Sequence, residues 1–203
     1  MRADSLHVAI VLAAGGSRRL GQPKQLLRRD GETLVHRAAR LAALTQPIRL
    51  LIVVGAHEAE VREALQGIDA EILRNPNWRS GLASSLYVAA QALLDHDAAT
   101  LLLGCDQPAL EIEHLQQLLH GFATASSGCA ATLHDGQAGI PAVVSSALWL
   151  NATALSADRG LGAALRALPT ESIALLDAPE LCRDIDEPGD LESAIAAELI
   201  DRP

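Results

Sequence analysis

Aromatic side chains are nearly missing from this chain: two Trp, one Tyr and one Phe among 203 residues. A platform that binds a nucleic-acid strand needs rings on which successive bases stack, so the composition excludes one. Positive charge is scarce too, with 16 Lys and Arg against 25 Asp and Glu, a net charge of −9. Nucleic-acid binders show the opposite balance, which makes a single nucleotide a better ligand than a polymer. Cys105, Cys129 and Cys182 are odd in number and widely spaced, with no C-x-x-C pair. Neither a disulfide framework nor a zinc site is expected, and the usage fits a reducing cytoplasm. No apolar run approaches the roughly 20 residues of a membrane span, and the N-terminus lacks a basic start followed by an apolar stretch. The expectation is a soluble, unexported protein.

Apolar residues are plentiful, at 49% with a mean hydropathy of +0.19. That fills one core well and is short for two, so one domain over residues 1–203 is expected. Apolar strand candidates at residues 8–13, 48–54, 68–73 and 100–104 alternate with amphipathic helix candidates at 33–44, 58–66, 81–94 and 111–122. In the last of these Leu115, Leu118, Leu119 and Phe122 face inward. The alternation predicts an α/β fold with a mostly parallel central sheet and helices on both faces. Functional residues in such a sheet gather at the carboxyl ends of the strands, where loops meet at a topological switch point.

The stretch that organises the chain is VAIVLAAGGSRRLGQPKQLL, residues 8–27. A short buried strand runs directly into a loop that holds Gly15, Gly16 and Gly21, the Ser17 hydroxyl, and the cations Arg18, Arg19 and Lys24. Backbone N–H groups and positive charge in one loop favour a polyphosphate. Pro23 stiffens the backbone at Lys24, so that side chain is aimed instead of floppy. Two familiar phosphate loops fail. The P-loop pattern finds Gln22 and Pro23 where Lys and Ser/Thr belong, and the dinucleotide fingerprint G-x-G-x-x-G has the wrong glycine spacing.

What the stretch does match, at every fixed place from Leu12 to Lys24, is L-A-A-G-x-S-x-R-x-G-x-P-K. It resembles the MobA-like NTP transferases, and among them the molybdenum cofactor cytidylyltransferases. The resemblance implies a Rossmann-like nucleotidyltransferase fold whose loop, Leu12, Ala13, Ala14, Gly15, Gly16 and Ser17, wraps an NTP triphosphate. It gives Arg19 and Lys24 catalytic roles and leaves Arg18, on a variable place, without one. Ala14 and Pro23 stand where guanylyl-transferring relatives commonly carry Gly and Asp, which points to CTP.

Three later segments extend the resemblance. NPNWRSGLASSL, residues 75–86, resembles N-P-x-W-x-x-G-x-x-x-S-L and implies base and ribose contacts from Asn75, Gly81 and Ser85. Its plainer reading is an Asn-Pro turn with serines capping a helix. GCDQP, residues 104–108, puts Asp106 just beyond a buried strand, where a carboxylate suits Mg²⁺; the plainer reading is a cap for the helix that begins near Glu111. DIDEPGDL, residues 184–191, resembles a C-terminal element that completes the metal site, with Asp186 the first choice, Asp184 the second, and Asp190 structural near a helix start.

Gly139-Ile140-Pro141 matches an acceptor-side element. Residues 157–165 depart from the family's G-D-K-G-A-R-x-L-L, with Arg159 for Lys and Gly162 where Arg is usual. The seven histidines form no metal cluster: His57 follows a strand, His114 and His120 lie on a helix, and His134 falls in a turn. None is assigned a role. The resemblance implies Mg²⁺-dependent transfer of CMP from CTP to molybdopterin, with a molybdoenzyme or its chaperone as a further partner. The alternatives are a sugar or alditol phosphate as acceptor, or a nucleotide-binding cofactor-insertion partner without turnover.

Overall fold

The computed structural model describes residues 6–94, 96–154 and 160–202. β1 (His7–Ala13) is buried along almost its whole length and runs directly into the glycine loop. A two-stranded hairpin, β2 (Arg28–Arg29) with β3 (Glu32–Thr33), leads to α1 (Leu34–Leu44), whose N-cap Thr33 accepts the His36 N–H. β4 (Arg49–Val54), α2 (Glu58–Ala64) and β5 (Glu71–Arg74) follow. The third strand therefore begins three residues later than the sequence suggests. Its parallel pairing with β4 starts at Leu51–Glu71, and the Ile68 N–H is still engaged by the Leu65 carbonyl in the turn after α2.

α3 (Leu82–Ala92) precedes β6 (Ala99–Gly104), and α4 (Ile112–Thr124) precedes the hairpin of β7 (Ala130–His134) and β8 (Gln137–Val144). His134 ends β7 instead of lying in the turn, which Asp135 and Gly136 make with positive φ at both positions, as tight hairpins require. α5 (Ser146–Ala154), α6 (Gly160–Arg166), β9 (Ala174–Asp177) and α7 (Pro188–Ala196) complete the chain.

The main sheet has seven strands in the order β5-β4-β1-β6-β8-β7-β9. β5, β4, β1 and β6 pair in parallel, and β8 is antiparallel to both neighbours. Helices cover both faces. Val35, Ala38 and Leu41 of α1, Val61 of α2, and Leu115 and Leu118 of α4 bury one face; Leu119 and Phe122 pack on it half-buried. Leu86 and Ala89 of α3, Trp149 of α5, and Leu161 and Leu165 of α6 bury the other. Strand residues such as Ile10, Leu51, Ile52, Leu101 and Leu102 lie between the two layers at under 2% exposure. Each such side chain contributes about 1.5–3 kcal/mol by leaving water. This explains why the strands read as unbroken apolar runs. Among the described residues no helix is long and apolar enough to cross a membrane.

Candidate active site

Register places the site. β1 pairs Leu12 with Gly104 of β6 and Ala13 with Val54 of β4, so the segments after these three strands emerge side by side. From β1 the chain turns first towards β4 and β5 and later to β6, which makes this end the switch point. Within the loop, Ser17 adopts a left-handed φ of 46°, uncommon for a residue with a side chain. Its hydroxyl is used internally. Oγ accepts the Lys24 N–H at 3.1 Å and donates to Gln25 Oε1 at 3.4 Å. Gln25 is 1% exposed, and its Nε2 donates to the Ala13 carbonyl at 3.1 Å and the Gly15 carbonyl at 2.6 Å.

Pro23, at φ −67°, leads into a short 3-10 turn that starts at Lys24. The Lys24 ammonium donates to Asp106 Oδ2 at 2.7 Å and to Asp186 Oδ1 at 2.8 Å. Burial opposes its charge, but the two carboxylates outweigh that cost and the net direction of its pKa is upward. Arg19 reaches the same group from solvent, donating to Asp186 Oδ2 at 2.7 Å and to Glu187 Oε1 at 2.9 Å. Hydrogen bonding from Lys24, with its charge and that of Arg19, holds the Asp186 carboxyl below the usual range. Three distant segments thus meet in one ionic cluster.

Asp106 folds back over Gly104, where an added Cβ would sit 2.5 Å from Oδ1, so the glycine that ends β6 makes room for the carboxylate. It caps no helix. The N-cap of α4 is Glu111 itself, in a reciprocal box with His114. Asp186 arrives because the Ile185 N–H is accepted by the Asp106 carbonyl at 3.0 Å, with Ile185 buried against Leu20 and Leu34. Asp190 Oδ2 accepts the N–H groups of Asp186 and Glu187, which stiffens the segment at the start of α7. Asp184, two residues back, is turned elsewhere: burial and then the Asp106 charge push its carboxyl up to about 6, against a hydrogen bond with Gln107. Gln107 also donates to the carbonyls of Ile140 and Leu181, tying the turn after β6 to β8 and to the C-terminal segment.

Opposite the cluster, Asn75 is 1% exposed and its Nδ2 donates to Ser84 and Ser85 at 2.8 and 3.0 Å. The serines do not cap α3, whose N-cap is Gly81. A cavity of about 270 Å³ lies between the two walls, lined by Leu12, Ala14, Gly15, Lys24, Gln25, Trp78, Gly81, Leu82, Ser85, Gly104, Cys105, Asp106 and Ile140. Of the residues singled out in the sequence, Asn75 stands behind this wall. Ala13 turns its side chain into the core under α1, and Gly16, Ser17, Arg19 and Asp186 border the cavity region without lining it. A larger hollow of about 510 Å³ against α4 and β9 is built from a helix face and an edge strand, away from the converging strand ends.

Sequence reasoning missed Gln25, Gln107 and Trp78 as parts of the site. Trp78 packs its indole where a side chain on Gly16 would go, since an added Cβ there would meet the ring at 2.6 Å; one on Gly55 would meet the Trp78 Cβ at 2.6 Å and the Ala14 carbonyl oxygen at 2.8 Å. Arg18 and Arg79 lie over its ring, 5.8 and 4.3 Å from the centroid. The signal for the glutamines was position: each follows directly on a charged site residue. The histidines lie elsewhere. His57 is the exposed N-cap of α2, His114 bonds Glu111 and Glu180, His120 is exposed on α4, and His134 bonds the Ile140 carbonyl. Arg159 and Asp158 lie outside the described residues; Gly162 is on α6.

Asp106 and Asp186 present two hard carboxylate oxygens to one cation, the donor chemistry that suits Mg²⁺. Among the described residues no group of three or more His, Cys, Asp or Glu gathers to hold a metal. A divalent ion on this pair would take its other ligands from phosphate oxygens and water.

The mostly parallel sheet, with its glycine loop and ion cluster at the switch point, defines an α/β protein with a candidate site at the strand ends. The model of the MobA-like NTP transferase domain matches residues 9–173, and the chain belongs to this family of nucleotidyltransferases. It is similar to nicotine blue oxidoreductase of Paenarthrobacter nicotinovorans, 32% identical over 79% of this chain and 81% of that one. It is also similar to a probable molybdenum cofactor guanylyltransferase of Synechococcus elongatus, 38% identical over 53% of this chain and 54% of that one. Among solved structures it resembles the homologue of Mycobacterium tuberculosis rv0371c from Mycobacterium sp. strain JC1, with a TM-score of 0.76, 27% identity, and coverage of 95% and 96% of the two chains.

Proposed function

We propose that the protein, as one domain over residues 1–203, transfers CMP from CTP to molybdopterin with Mg²⁺ and releases pyrophosphate. The observation that carries this reading is the meeting of Lys24 with Asp106 and Asp186 directly beneath the glycine loop. Gly15 supports it: a Cβ there would meet nothing within 4 Å, so packing does not require this glycine, yet it lines the cavity and leaves room for a ligand.

In this reading residues 12–17 hold the triphosphate, while Gly81 and Ser85, with Asn75 behind, face the base and ribose. An oxygen of the acceptor's phosphate attacks the α-phosphorus, and the bond to the bridging oxygen breaks with pyrophosphate as leaving group. Lys24 and Arg19 stabilise the charge that builds on the phosphate oxygens, where a fixed cation lowers the barrier most. Asp106 and Asp186 would hold Mg²⁺, which when bound offsets triphosphate charge and polarises the α-phosphate.

Ala14 supports CTP, because its buried methyl lines the cavity beside the loop and narrows the space for a base. One methyl in a pocket is worth about 1–3 kcal/mol. GTP is the second reading, favoured by the relative named a guanylyltransferase.

The test is pyrophosphate release from CTP and GTP in competition, with molybdopterin and with sugar or alditol phosphates. Preferential GTP consumption would overturn the base, and release only with a sugar or alditol phosphate would overturn the acceptor. No release with any pair would favour a cofactor-insertion partner. A parallel measurement of NAD(P)H consumption covers the relative named an oxidoreductase, against which stands the missing G-x-G-x-x-G spacing.

A further inference from the structure

From Ala13 to Ser17, four of the five carbonyls are occupied from the protein side. Gln25 Nε2 donates to Ala13 and Gly15, the Ala56 N–H to Ala14, and the Gly21 N–H to Ser17. In a trans peptide the C=O and the following N–H point in opposite directions. Each carbonyl drawn inward therefore swings the next residue's N–H away from its partner. For an anion this decides the outcome, because a carbonyl oxygen facing the ligand repels it and an N–H attracts it. Two of the four carbonyls depend on one side chain, and that side chain is 1% exposed. It sits in the same short turn as Lys24 and is linked to the loop again through Ser17.

We propose that Gln25 is a positioning residue that holds the loop in its polyphosphate-binding orientation, fixing the Ala14 and Gly16 amides and the register between loop and Lys24. Any terminal di- or triphosphate is the ligand class it serves. This rests on the reading of the loop as a triphosphate site. An amide is the side chain the task calls for: its NH₂ group supplies two donors to two carbonyls, while its oxygen accepts from Ser17.

The experiment measures, by calorimetry with Mg²⁺, the Kd of pyrophosphate and of CTP for the parent, Gln25→Met and Gln25→Glu. Steady-state KM and kcat are measured alongside. Methionine keeps the length without donors, and an ionised glutamate keeps the shape with acceptors only. Leu118→Ala, in the core away from the loop, is the control for plain destabilisation.

The expected result for both Gln25 variants is a Kd and KM raised about tenfold, the scale of a lost hydrogen bond, with a smaller change in kcat. Leu118→Ala should lower Tm and leave Kd and KM unchanged. Gln25 variants that lose Tm but keep the parent's Kd would overturn the proposal and make Gln25 a core amide. If Gln25→Met does not fold, Gln25→Glu alone decides by the same criterion. A parent that binds neither pyrophosphate nor any NTP would sink the transferase reading itself and this proposal with it.

Discussion

The two sides of β6 reach the same pocket by different means. On one side, β5, β4 and β1 run parallel with β6, and register starts the loops after them side by side. On the other, β8 runs back against β6, and its segment at Ile140 and the C-terminal stretch at Asp186 are tied in by Gln107 and by the Ile185–Asp106 backbone bond. The first side is built from local spacing and the second from ties between distant segments, Gln107 to Ile140 and Leu181, and Ile185 to Asp106. A short motif therefore captures the first, while the second depends on a few long-range ties.

Four measurements break or sharpen that contrast, beginning with the residue where both sides meet. Asp106→Asn keeps the size but removes charge from the carboxylate pair, so activity should collapse and nucleotide binding should lose its metal dependence. A Mg²⁺ titration of the purified variant matching the parent's would remove Asp106 from the metal site. Lys24→Ala, on the local side, should lower kcat about a hundredfold or more with circular dichroism unchanged. Near-normal turnover would end its catalytic role.

Gln107→Met tests the long-range side without removing a charged side chain. Loss of its bonds to Ile140 and Leu181 should cost about 1–3 kcal/mol of stability. It should also lower kcat about tenfold by loosening Asp186. If Tm falls and kcat holds, the segments do not need that tie to stay aligned.

Glu32 provides the smallest effect and a control remote from the ion cluster. Hydrogen bonding from Arg40 outweighs desolvation and, with His36, takes its carboxyl down to about 2. Because the folded pKa lies below the ordinary 4.5, its contribution is present above that value and is lost as pH falls through about 2. Glu32→Gln should therefore lower Tm slightly at pH 7, with the gap to the parent closing in acid, while kcat and KM stay put. A gap that is independent of pH would mean packing, not charge, holds this corner.

The parallel half of the fold was legible because strands buried on both faces must be continuous apolar runs, and the helices between them carry their period openly. β7, β8 and β9 were not. Their runs are short and mixed with Thr, His and Gly, although the Asp135-Gly136 turn between β7 and β8 is a strong hairpin signal. In the site, motif and strand end single out Lys24 and Asp106, whose side chains meet in the fold; their roles belong to the proposal. Of Asp184 and Asp186, Asp186 is turned to Lys24 and Asp184 towards Gln107; that Asp186 holds the metal is part of the proposal. Gln25 and Trp78 were illegible for a common reason: a buried amide and an indole wedged against Gly16 act through the shape of distant backbone, which spacing does not record.

Trp78 and Gly16 share one parcel of space contributed by two separate stretches of chain. Such a parcel is inherited as a whole. A side chain can appear at Gly16 only after the indole has shrunk, and a smaller residue at position 78 leaves a gap that invites one, whereas Gly55 stays closed by the Trp78 Cβ and the Ala14 carbonyl. While position 55 should stay Gly, positions 16 and 78 should drift together across related sequences, a large residue at one answered by a small one at the other. In any attempt to reshape this pocket they form a single adjustable part.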